Sequence, residues 1–162
     1  MKKLLFIFGT RPEAIKMCPV IKRFEKDKEN FKTSVLVTGQ HREMLDQVLS
    51  IFNVVPHYDL NLMIKNQTLE SLTSKILNGV SNILETYKPK LVFVQGDTTT
   101  TFASSLACFY KKIDIAHIEA GLRTNNNYSP FPEEVNRRLT TVLASYHFPP
   151  TTSAKKNLLN DG

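Results

Sequence analysis

Apolar positions along this chain alternate between two patterns, short continuous runs and longer stretches with apolar residues three or four apart. Residues 4–8 form a continuous apolar run closed by Gly9, as in a central parallel strand buried on both faces. Ala14, Ile15, Cys18, Val20, Ile21 and Phe24 then recur at helical spacing, behind Thr10 as N-cap and Pro12 in the first turn. Val35, Leu36 and Val37 read as a second strand, closed by Thr38-Gly39-Gln40-His41. A helix over about 42–52 follows, with Met44, Leu45, Val48, Leu49 and Phe52 on one side. Residues 57–62 are short and ambiguous between loop and edge strand. Leu69, Leu72, Ile76, Leu77, Val80, Ile83 and Leu84 mark a long amphipathic helix that ends near Lys88-Pro89. Strands at 91–94 and 113–118 flank a helix over about 99–110. A loop rich in Asn, Gly, Ser and Pro covers 121–132. It leads to a helix over about 133–145, a brief strand at 146–148 and a last helix over 151–159.

Strands alternating with helices at this spacing predict a doubly wound α/β domain with a parallel, Rossmann-like sheet. The 162 residues suffice for one domain with a real core, and no repeat, low-complexity tract or interdomain linker interrupts them. Asp161-Gly162 stand where a linker to something else could begin. The hydrophobic content of 41% and charged content of 22% are those of a soluble globular protein. The net charge of +6 is spread over lysines mixed with acids, without an aromatic-interleaved basic stripe, so nucleic acid is not indicated. Cys18 and Cys108 both fall in predicted helices and have no CxxC or Cys/His spacing, which supports neither a metal site nor a disulfide framework. The apolar run after Met1-Lys2-Lys3 is too short for a signal peptide, and no stretch approaches a membrane span. The expectation is a reduced, cytoplasmic chain.

The chemistry concentrates in residues 91–134. Two predicted strands there end near carboxylates, Asp97 and Glu119, and a third acidic cluster, Glu133-Glu134, opens the next helix after Pro132. In an open parallel sheet, ligands bind at the carboxyl edge where strand order reverses, and that winding brings Gly9-Thr10-Arg11-Pro12 opposite Gln95-Gly96-Asp97. Arg11 in a first helical turn opposes the helix dipole unless an anion sits there, a phosphate or carboxylate ligand or an internal partner among Glu13, Glu119 and Asp97. Lys16, about one turn on, reaches the same anion or is solvated. Asp97 reads either as a site residue beside a permissive Gly96 or as a plain N-cap. Glu119 at a strand end is harder to explain as surface, and Glu133 is favoured in a first turn on dipole grounds alone. His117 shares the alternation of Ile113 and Ile115 and faces either core or site. His41 is a further candidate at a strand's carboxyl end. Together these residues supply what proton abstraction and return require, several carboxylates at one concave edge with a cation for a leaving phosphate. There is no GxGxxG, GxSxG or Walker loop.

Five ordered stretches carry a resemblance: Gly9-Thr10-Arg11-Pro12-Glu13-Ala14-Ile15-Lys16-Met17, Thr38-Gly39-Gln40-His41-Arg42-Glu43-Met44, Gly96-Asp97-Thr98-Thr99-Thr100, His117-Ile118-Glu119-Ala120-Gly121-Leu122-Arg123-Thr124 and Pro132-Glu133-Glu134-Val135-Asn136-Arg137. They closely resemble the non-hydrolysing UDP-N-acetylglucosamine 2-epimerases, and the first stretch in full is a feature that the hydrolysing relatives lack. The resemblance implies the N-terminal half of a two-domain GT-B type fold, with the active site between domains. It implies interconversion of UDP-GlcNAc and UDP-ManNAc by elimination of UDP to a 2-acetamidoglucal and re-addition, without nicotinamide or metal cofactor. It further implies Asp97, Glu119 and Glu133 as catalytic carboxylates, and Arg11, Lys16, His41 and Arg137 as substrate-binding residues. Members of that family are about twice as long as this chain. Residues 1–162 would therefore be the N-terminal domain alone, needing a C-terminal half with the uridine pocket, or a homo-oligomer, as partner. A degenerate fragment serving as a binding module is the competing expectation. Some relatives bind substrate as an activator near the Gln40-His41 motif; where several carry Arg before Gln-Thr-Leu, this chain has Asn66 before Gln67.

Overall fold

The computed structural model describes residues 1–39, 42–62 and 67–162; Gln40, His41 and Asn66 lie outside the described residues. Strands and helices alternate from β1 (Lys2–Phe8) and α1 (Arg11–Glu25) through β2 (Phe31–Val37), α2 (Arg42–Ile51) and β3 (Tyr58–Asp59). They continue with α3 (Leu69–Tyr87), β4 (Leu91–Gln95), α4 (Thr99–Tyr110), β5 (Asp114–Ile118), α5 (Glu133–Leu143), β6 (Tyr146–Phe148) and α6 (Thr152–Asp161). The strands form one sheet in the order β3-β2-β1-β4-β5-β6, and every pairing is parallel. This is the expected doubly wound sheet. The winding reverses between β1 and β4, which pair from Leu4 opposite Leu91 to Phe6 opposite Phe93.

The period-two alternation of β1 divides the core into two layers. Leu4, Phe6 and Phe8 join Ala14, Met17, Cys18, Ile21 and Leu45 of α1 and α2. Leu5 and Ile7 join Leu72, Ile76, Val80, Ala103 and Ala107 of α3 and α4 on the other face. Phe6 stacks on Phe93 at 4.6 Å between ring centroids, and Phe24 tilts against both rings. Full burial of a side chain of this size contributes about 1.5–3 kcal/mol, which anchors the β1–β4 seam in the core. The carboxyl ends of these two strands are consequently a rigid base for whatever the next loops carry.

The differences from the sequence pattern are largest at β2 and β3. β2 begins at Phe31 rather than at 35, because Lys32 and Thr33 pair with Lys3 and Leu4 of β1 while their side chains stay partly in water. Such half-solvated strand starts carry no apolar signal. The ambiguous segment at 57–62 supplies only the two-residue edge strand β3, with Tyr58 opposite Leu36.

The loop after β5 is fastened to α6. Arg123 donates to Asp161 from Nε at 3.0 Å and from Nη2 at 2.8 Å, and Asn157 Nδ2 donates to the Gly121 carbonyl at 2.9 Å. Gly121 has φ +92°, and a Cβ there would stand 2.3 Å from the Ala154 carbonyl oxygen and 2.8 Å from Leu158 Cγ. Gly96, after β4, has φ +72° but nothing within 4 Å of a Cβ position. The two glycines are thus needed for different reasons, close packing at 121 and backbone conformation alone at 96. Gly121→Ala is expected to lower stability by about 2–4 kcal/mol, combining overpacking with a left-handed backbone, against about 1–2 kcal/mol for Gly96→Ala. Urea unfolding of both variants checks this, and equal losses would remove the α6 contact from the account.

Candidate active site at the carboxyl edge

Glu13 organises the edge. It sits in the first turn of α1 and is 2% exposed. Its Oε2 accepts hydrogen bonds from Gly9 N at 2.8 Å, Thr10 N at 2.7 Å and Thr10 Oγ1 at 2.9 Å, in the backward reach that a Glu three residues after a Thr N-cap makes. Its Oε1 accepts from Thr98 Oγ1 at 2.6 Å and from Thr101 Oγ1 at 3.3 Å. A single buried carboxylate therefore bridges the turn after β1 and the turn after β4. Burial pushes its pKa up, and the bonds from Thr98, Gly9 and Thr10 oppose the rise.

Asp97 follows in the β4–α4 turn. It is not the cap of α4: Thr98 is, its Oγ1 accepting from Thr101 N at 3.2 Å. The Asp97 carboxylate is left for α5, where Arg137 Nη2 donates to Oδ2 at 2.5 Å and Asn136 Nδ2 donates to the Asp97 carbonyl at 3.0 Å. Burial lifts the Asp97 pKa above its ordinary value. The Arg137 guanidinium opposes that rise, and the charges of Glu133 and Glu119 add to it. Electrostatically, then, the three carboxylates singled out in the sequence act on one another.

Glu119 directly follows β5 with φ +65°, an uncommon backbone for a side chain of its size. Its backbone N–H donates to the Phe148 carbonyl at 3.0 Å, which ties the turn to β6. Its Oε2 accepts from Gln95 Nε2 at 2.8 Å and pairs with Lys16 Nζ. Lys16, read from spacing as an anion ligand or a solvated side chain, is in this structure the ion-pair partner of Glu119. Glu133 opens α5 and makes no hydrogen bond or ion pair among the described residues. The adjacent Glu134 is fully buried: it accepts from Thr124 N at 3.1 Å and Asn125 N at 3.2 Å, and faces Arg137 Nη1 at 3.4 Å. One acid of the pair folds the loop back while the other faces the edge. Arg11 is exposed at the first residue of α1, and among the described residues it pairs with none of Glu13, Asp97 and Glu119.

The structure thus brings Asp97, Glu119, Glu133, Lys16 and Arg137 to one edge with Arg11 at its rim, while His41 lies outside the described residues. Glu13, Gln95 and Asn136 were not singled out as site-building residues by the sequence pattern, and Glu134 entered only as part of the Glu133-Glu134 cluster. The Thr10–Glu13 spacing was a signal for the first, and a polar Gln95 ending an apolar strand was a signal for the second. Among the described residues no three His, Cys, Asp or Glu side chains converge to hold a metal ion, and no helix is long and apolar enough to cross a membrane.

Comparison with known proteins identifies the family of the chain. The chain is 59% identical over 160 residues to a UDP-N-acetylglucosamine 2-epimerase of Neisseria meningitidis, covering 98% of this chain and 42% of that protein. It is 56% identical over 159 residues to the enzyme of that name from Escherichia coli, with 98% and 42% covered. The crystal structure of the Neisseria meningitidis enzyme bound to UDP-GlcNAc superposes with a TM-score of 0.95 at 57% identity, covering 98% of this chain and 43% of that one. The Methanocaldococcus jannaschii enzyme in complex with UDP-GlcNAc and UDP gives 0.91 at 40% identity, covering 99% and 43%. The chain therefore spans less than half the length of these relatives. A family model for UDP-N-acetylglucosamine 2-epimerase matches residues 22–162, and the chain belongs to that family.

Proposed function

We propose that residues 1–162 are the single Rossmann-like N-terminal domain of a GT-B type UDP-GlcNAc 2-epimerase. In this reading the chain interconverts UDP-GlcNAc and UDP-ManNAc once the part of its relatives that it does not match is supplied, as a separate C-terminal half or within an oligomer. The observation that carries the proposal is the convergence of Asp97, Glu119 and Glu133 on one sheet edge, where the charges of the latter two reach the first. A carboxyl raised by burial holds a proton more readily than an ordinary one, which suits a group that must take and return a proton in a reversible elimination.

The step balances as follows. One carboxylate takes the proton from C2 of the sugar as the C1–O bond to UDP breaks, leaving a 2-acetamidoglucal and UDP. A second acid then protonates C2 from the opposite face while the UDP oxygen re-forms its bond to C1. Arg11 and Lys16 face the diphosphate or the sugar, and Arg137 holds Asp97 in place. A cytoplasmic location belongs to the same proposal and is supported by two unpaired cysteines, Cys18 and Cys108, both buried. The alternative reading is a fragment that binds sugar nucleotide or a protein partner and turns nothing over.

Proton NMR of UDP-GlcNAc in D2O separates these readings. Deuterium is expected at C2, with UDP-ManNAc, when the chain is mixed with the remaining part of a relative, and in neither component alone. No exchange in the mixture would leave only the binding module. In the active mixture, Asp97→Asn, Glu119→Gln and Glu133→Gln should each lower kcat by about 100-fold or more, the range typical of lost acid–base groups. A variant that retains full activity would remove its residue from the mechanism.

The chain alone permits a second test. Carboxyl 13C NMR should place the Asp97 midpoint above its ordinary value. Arg137→Met should move it further up, since the guanidinium favours the charged form, and Glu133→Gln should move it down by removing a like charge. A midpoint indifferent to both changes would mean that these groups do not share a site.

A further inference from the structure

His117 lies in β5 with its side chain fully buried, opposite Val94 in the sheet register. Its Nε2 stands 2.7 Å from the Gly96 carbonyl oxygen. A carbonyl only accepts, so Nε2 carries the proton. Its Nδ1 is buried and has no hydrogen-bond partner among the described residues, so a proton there would be an unsatisfied buried donor. Both considerations select one neutral tautomer. Burial also pushes the imidazole down to about 4, with His147 and Arg123 acting in the same direction and the Gly96 bond opposing, so the ring stays neutral under ordinary conditions.

The residue it grips decides what the contact does. Gly96 is held from β5 at both ends, its N–H donating to the Ile118 carbonyl at 2.9 Å and its carbonyl accepting from His117. Its backbone is left-handed and nothing packs against the position of an absent Cβ, so neighbouring side chains do not enforce that conformation. The next residue is Asp97, held in turn by Asn136 and Arg137 of α5. An apolar residue of similar volume would fill the core at 117 without the desolvation cost of an imidazole, but it would release the Gly96 carbonyl.

We propose that His117 is a positioning residue: as the neutral Nε2–H tautomer it fixes the Gly96 turn and thereby aims the Asp97 carboxylate at the sheet edge. Its importance for turnover rests on the epimerase reading above, whereas its grip on Gly96 does not. The ring itself neither gives nor takes a proton in the reaction.

Two readouts keep these parts distinct. On the 162-residue chain, long-range 15N–1H NMR should show His117 protonated at Nε2 and bare at Nδ1. Amide hydrogen exchange at Gly96 should quicken at least about tenfold in His117→Leu and return toward the parent value in His117→Gln, whose amide nitrogen can reach the same carbonyl, while Phe6 and Val35 stay protected. In the mixture that exchanges C2, His117→Leu should lower kcat about 10- to 100-fold with KM little changed, the range of a misplaced catalytic group, and His117→Gln should recover most of it. A proton on Nδ1 in the parent chain would overturn the proposal even if the Leu variant failed to fold. Unchanged Gly96 exchange and kcat in His117→Leu, or no advantage of Gln over Leu, would also overturn it. A parent mixture without C2 exchange would sink the epimerase reading and the role in turnover, leaving tautomer and Gly96 protection to decide the grip.

Discussion

The carboxyl edge depends on one buried carboxyl group. Glu13 belongs to the helix that follows β1, yet two of its five bonds come from the hydroxyls of Thr98 in the turn after β4 and Thr101 in the first turn of α4. Those turns lie on the two strands between which the winding reverses, where helices diverge to opposite faces and leave a crevice. Diverging helices do not by themselves fix the spacing of the loops at their tips. The bridging carboxylate does so, because leaving any of its donors unpaired inside the protein would cost the full desolvation of that group. The edge is therefore held by a polar connection above an aromatic one, the Phe6–Phe93 stack lower in the same seam.

On that base the acidic groups differ in burial and in partners. Glu13 and Glu134 are buried and spend their acceptor capacity on backbone and hydroxyl donors of the chain itself. Asp97 and Glu119 are partly exposed, and each has a cation from a helix, Arg137 of α5 or Lys16 of α1. Such partly exposed pairs can exchange partners with a bound anion at modest cost, since solvent already weakens them. Glu133 has no such partner among the described residues. The edge thus holds its carboxylates in three different electrostatic situations within one loop cluster, which is how acid and base roles are separated among chemically similar groups.

Much of this was legible from periodicity. Continuous apolar runs located β1, β4 and β5, and three-four spacing located the helices, because burial against a sheet dictates both patterns. The start of β2 at Phe31 was not legible, since Lys32 and Thr33 hydrogen-bond as strand while remaining half in water. At the candidate site, the clustering of Asp97, Glu119 and Glu133 followed from topology, but their partners did not. Whether Asp97 caps α4 or Thr98 does turns on a rotation of one residue, and spacing cannot distinguish them. Lys16 and Glu119 are 103 positions apart, and their pairing is set by how α1 crosses the sheet. His117 was read as core or site; it is buried like a core residue and bonded to the turn that bears the site, a combination that alternation alone cannot express.

The fastening of the β5–α5 loop to α6 has a practical consequence for anyone handling the protein. Asp161, the last residue of α6, clasps Arg123, and the Ala154 carbonyl lies where only a glycine can stand beside it. An affinity tag joined directly after Gly162 would thus be separated from the clasp by Gly162 alone. Tension or charge placed there pulls on α6, then on Gly121, and so on the turn that carries Glu119. Purification handles belong at the other end, where Met1 is exposed and precedes the amino end of β1, opposite the carboxyl edge.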